Sequence, residues 1–93
     1  MFRNPFKRKV KGNPAATPAS IVALVLERAD EAAASLESGN VVSVTIKESE
    51  LPWPPVDDLP VSMDVMLNAA RHGLIPGAAH NVHGDWEFRF TKR

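Results

Sequence analysis

This chain predicts an α+β domain, two helices packed on one small three-stranded sheet in the order helix, strand, helix, hairpin. Three observations lead there. Apolar residues recur at steps of three and four after Ala19, β-branched residues alternate across Val41 to Ile46, and aromatic residues alternate across Trp86 to Thr91 behind a glycine-bearing turn. With 93 residues the chain has room for one domain, expected over residues 17–93 behind a flexible arm over residues 1–16.

The arm, Met1 to Ala16, holds small islands of charge, Gly12, Asn13 and two prolines, with Phe2, Phe6 and Val10 as its large apolar residues. Thr17-Pro18 reads as a helix start, because threonine can accept a backbone N–H and proline is pre-set for the first helical position. Val22, Val25, Leu26, Ala29, Ala33 and Leu36 then form one stripe, with Glu27, Arg28, Asp30, Glu31 and Glu37 on the other side. Gly39-Asn40 is the expected end, since both residues tolerate the left-handed conformation that closes a helix.

Val42, Val44 and Ile46 share one face of the strand that follows. Leu51 to Pro60 carries Pro52, Pro54, Pro55 and Pro60 around Trp53 and Asp57-Asp58, which predicts an extended crossing. Trp53 is expected to lie as a lid on the core, the alternative being an exposed recognition strip. A second helix is expected with Ser62 as cap, Asp64 in its first turn and Met63, Met66, Leu67 and Ala70 as its inward stripe, closing at His72-Gly73. Ala78 to Val82 and Trp86 to Thr91 make a hairpin around His83-Gly84-Asp85. Trp86, Phe88 and Phe90 face one way, and Glu87, Arg89 and Thr91 the other.

Charge is sorted along the chain although the total is zero. Arg3, Lys7, Arg8, Lys9 and Lys11 precede any acid, whereas Glu27 to Glu87 holds all eleven carboxylates against Arg28, Lys47 and Arg71, a formal −8. Arg89, Lys92 and Arg93 make the end basic again. A basic arm interleaved with phenylalanine can follow a phosphate backbone and stack on bases. There are no cysteines, hence no disulfide, thiol nucleophile or thiolate metal site, which fits a cytoplasmic setting. The longest apolar run, Ile21 to Leu26, is far shorter than the roughly 20 residues of a membrane span, and no signal-peptide core follows the basic start.

The helix ending Ala70-Arg71-His72-Gly73-Leu74-Ile75 and running straight into a hairpin resembles the end of a recognition helix and the start of the wing in winged-helix proteins. The stretch from Arg71 through Gly84 to Trp86-Glu87-Phe88 is also similar to small excisionase-type DNA-binding proteins. The resemblance covers about 30 of the 93 residues. It implies a winged-helix-like C-terminal end and a DNA partner rather than RNA, contacted by Asn68, Arg71 and His72. Pro52, Pro54 and Pro55 occupy the region where such proteins place a first helix, and that departs from the pattern.

The expected function is therefore a non-catalytic regulatory or accessory protein. It would bind nucleic acid through Arg3, Lys7, Arg8, Lys9, Lys11, Asn68, Arg71, His72, Arg89, Lys92 and Arg93. The alternative is a protein-binding adaptor or inhibitor that uses its acidic body or Trp53, Pro54, Pro55, Asp57 and Asp58. No catalytic residue, cofactor, metal, membrane or small-molecule substrate is expected. His72, His80, His83 and Asp85 lie too irregularly for a zinc site, and Asp57-Asp58 has no nucleophile beside it.

Overall fold

The computed structural model describes residues 12–93, so residues 1–11 of the basic arm lie outside the described part. Within it, α1 spans Pro18–Ala33, β1 Val41–Ile46, α2 Asp58–Ala69, β2 Leu74–Val82 and β3 Asp85–Lys92. Short 3₁₀ turns stand at Glu48–Glu50 and Ala70–His72. The α+β class and the order of elements agree with the sequence reading. All strands are antiparallel, in the order β1-β3-β2.

The start of α1 follows its sequence closely. Thr17 Oγ1 accepts from the Ser20 amide at 3.1 Å while Ser20 Oγ accepts from the Thr17 amide at 2.8 Å, and Pro18 takes the first helical position. The helix ends at Ala33, six residues before Gly39. Lys92 Nζ instead donates to the last helical carbonyl, Ala33 O, at 2.6 Å and to Leu36 O just beyond the helix at 2.5 Å. A cation at that end also suits the helix dipole.

The core lies between the helices and one sheet face. Opposed pairs Val42 and Phe90, Val44 and Phe88, and Ile46 and Trp86 bury their side chains against Ile21, Val25, Leu26 and Ala29 of α1. The alternation read from Trp86, Phe88 and Phe90 is thus the facing of the sheet. β2 begins four residues earlier than expected, at Leu74, because an irregularity between Pro76 and Ala78 lets the strand continue past Gly77. Two residues, His83 (φ 52°) and Gly84 (φ 91°), turn the hairpin between paired Val82 and Asp85. Positive φ at both is what a type I′ turn requires.

Helix α2 departs most from expectation. It starts at Asp58, so Ser62 is interior and cannot cap it. Pro60 falls in the first turn, where its missing N–H would have had no helical acceptor. The buried face is Val61, Val65 and Ala69, not Met63, Met66, Leu67 and Ala70. These short side chains are on the inner face, and the long flexible ones are left outside. Gly73, at φ 68°, closes the following 3₁₀ turn as expected.

Candidate functional site

The outward face of α2 is a continuous apolar stripe. Leu59, Met63 and Leu67 are 65%, 54% and 74% exposed, and Met66 beside them is 36% exposed. Positions 59, 63, 66 and 67 follow the four- and three-residue steps that put side chains on one helix face. Asp57, Asp58 and Asp64, all exposed, punctuate this stretch with negative charge. The exposure of Met63, Met66 and Leu67 is opposite to the inward stripe that their spacing predicts. The competing series Val61, Val65, Ala69 was the signal that could have corrected this.

Next to the N-terminal end of α2 lies a cleft of about 190 Å³ between the proline-rich crossing and the hairpin, with Trp53, Pro55, Val56, Trp86 and Glu48 among its walls. Trp53 is 37% exposed, so it is a wall of this cleft rather than the lid expected over the core. The walls are tied from both sides. The Glu48 amide donates to Asp85 Oδ1 at 2.7 Å, and the Gly84 amide to Asn81 Oδ1 at 3.1 Å. On the other side, Asn13 straps the crossing: its amide donates to Leu51 O at 2.7 Å and its carbonyl accepts from the Trp53 amide at 3.3 Å. Gly12 lies so close that a Cβ there would stand 2.6 Å from Leu51 O and 3.0 Å from the Trp53 Cβ. Leu51 and Pro52, both buried, anchor this crossing, while Pro54, Pro55, Asp57 and Asp58 stay exposed.

Of the residues expected to touch nucleic acid, those among the described residues are spread over α2, the 3₁₀ turn after it, and β3 with the residue that follows it. Arg3, Lys7, Arg8, Lys9 and Lys11 lie outside the described residues. Arg71 is exposed in the 3₁₀ turn after α2, and the backbone N–H of Arg93 donates a hydrogen bond to Gly73 O at 3.0 Å. Asn68 Nδ2 turns back to Asp64 O at 2.8 Å, and His72 Nδ1 lies 2.6 Å from Asp30 Oδ2, joining the end of α2 to α1. Arg89 projects from the outer sheet face beside Glu87 Oε1 at 3.3 Å, and Lys92 is engaged on the end of α1. Residues 12–93 carry six Lys and Arg against eleven carboxylates, a formal −5.

A two-pronged ion pair ties α1 to the 3₁₀ turn after β1. Arg28 Nη1 and Nη2 both donate to the carboxylate of Glu50, and Nη1 also donates to Thr45 O at 3.2 Å. The hydrogen bond from Arg28 holds the Glu50 carboxyl below its ordinary 4.5 against partial desolvation, with the Lys47 amide adding a further bond. The same pairing raises Arg28. Among the described residues, no three His, Asp or Glu side chains stand close enough together to hold a metal ion, and no helix is long and apolar enough to cross a membrane. No protein-family model, curated protein or solved structure matches the chain.

Proposed function

We propose that the chain is a non-catalytic protein-binding module, an adaptor or inhibitor at work in the cytoplasm, whose contact surface is the outward face of α2 with the Trp53 cleft at its end. The observation that carries this reading is the exposed series Leu59, Met63, Met66 and Leu67. Contiguous apolar surface on a small protein, bordered by charge, is the ordinary signature of an interface. Methionine adds adaptability, because its unbranched side chain reshapes to its partner. The acidic side chains around it favour a partner segment with basic residues flanking apolar ones. The experiment is affinity capture with the full chain and with a Leu59→Gln, Met63→Gln, Leu67→Gln variant after nuclease treatment. The wild-type chain should retain a partner that the variant loses by about tenfold or more, as expected when three central apolar contacts are removed. Equal retention would refute the assignment.

A second reading keeps the chain on DNA, as an accessory protein with a winged-helix-like end. Its support is the continuity of α2, through Arg71, His72 and Gly73, with the β2–β3 hairpin, together with the cations of the arm. The apolar, carboxylate-flanked face of α2 weighs against it, since a helix entering a groove meets phosphates with that face.

A further inference from the structure

We propose that the Trp53 cleft is a subsite for one basic side chain, a lysine or arginine of the partner segment, with the Glu48 carboxylate as its ion-pair acceptor and the two tryptophans as walls for its stem. This deepens the protein-binding reading and rests on it. Size points to a single side chain: about 190 Å³ is below the roughly 300–1,000 Å³ of pockets that enclose a whole small molecule. Lining chooses the charge. Trp53 and Trp86, the two tryptophans of the chain, both border the cleft with Pro55 and Val56, and Glu48 is the one charged residue among its described walls. An aliphatic stem that ends in a cation matches apolar walls beside one carboxylate, and the face of a tryptophan attracts such a cation.

Glu48 is also placed without being paired. Its backbone is fixed by the 2.7 Å bond from its amide to Asp85 Oδ1, and its carboxylate lies so close to the hairpin turn that a Cβ at Gly84 would stand 2.8 Å from Oε2. Three other carboxylates find cations within the chain, Glu50 with Arg28, Asp30 with His72 and Glu87 with Arg89. Among the described residues no cation of the chain meets Glu48. A positioned carboxylate beside an apolar cleft leaves the place of its counter-ion to a partner. Asp57 and Asp58, exposed just beyond Val56, add a field of the same sign. Trp53 is 37% exposed and so offers ring surface to an incoming chain. Val56 stands two residues before α2, so one bound segment can seat a basic side chain here and lay apolar ones on Leu59, Met63 and Leu67.

The test titrates the full chain with Nα-acetyl-lysine methylamide, Nα-acetyl-arginine methylamide and Nα-acetyl-norleucine methylamide, the last being the lysine stem without its charge. Backbone amide and indole N–H signals are followed by NMR. The basic probes should saturate with half-saturation on the order of millimolar, as suits one isolated side chain. Shifts should gather at Glu48, Trp53, Gly84 and the indole of Trp86, while the signals of Met63 and Leu67 hold still. The norleucine probe should bind about tenfold more weakly. Glu48→Gln keeps the shape and removes the charge, so it should erase that preference and leave the rest of the spectrum unchanged. Equal binding of all three probes, saturation by none, shifts scattered over the acidic surface, or a Glu48→Gln chain that keeps the preference would each overturn the proposal. Any of these with the captured partner still lost in the α2 variant sinks the subsite alone. Selective binding in the cleft with no partner captured supports the subsite and sinks the wider protein-binding reading.

Discussion

Phe88 and Arg89 are neighbours in sequence with opposite consequences, because a strand turns successive side chains to opposite faces. Phe88 is 2% exposed in the core, while Arg89 stands in water on the outer sheet face. Phe88→Ala should cost about 3–5 kcal/mol and Arg89→Ala less than about 0.5, measured by denaturant unfolding. Equal costs would mean that the facing of β3 is wrong. Glu50 makes a prediction in pH. Its folded pKa lies below the ordinary 4.5, so its pairing with Arg28 contributes in full above that value and is lost as pH falls through the lower, folded one. Replacing Glu50 with glutamine should lower stability at neutral pH and flatten the fall in stability below about pH 4.5. An unchanged acid limb would show that the pair is not coupled to folding.

At the scale of elements, the strands and the start of α1 were legible because each carries one unambiguous signal. Val42, Val44 and Ile46 alternate without competition, and Thr17-Pro18-Ala19-Ser20 contains its own cap. Helix α2 was legible as a helix but not in its facing, since apolar residues occupy both sides and only packing against α1 decides between them. Its start was hidden by prolines that read as breakers, although Pro60 in a first turn breaks nothing. The candidate site was therefore missed for the same reason that the facing was: residues assigned to the core are the exposed surface. Val65→Ala should cost about 2 kcal/mol, whereas Met63→Gln and Leu67→Gln should each stay within about 0.5. The reverse order in thermal or denaturant unfolding would return α2 to the orientation expected from its methionines.

For the whole molecule, the separation of a basic arm from an acidic body sets two possibilities against each other. The arm favours polyanions, and the body repels them. Recognition through an apolar helix face on a body with a formal −5 over residues 12–93 leaves little net attraction for DNA. Titration of the full chain with a generic duplex across a range of salt tests this most directly. The account predicts affinity too weak to measure at physiological salt. Measurable binding there, weakening with a log–log salt slope near −4.5 as expected for five engaged cations at about 0.9 each, would contradict it and make the arm a nucleic-acid contact.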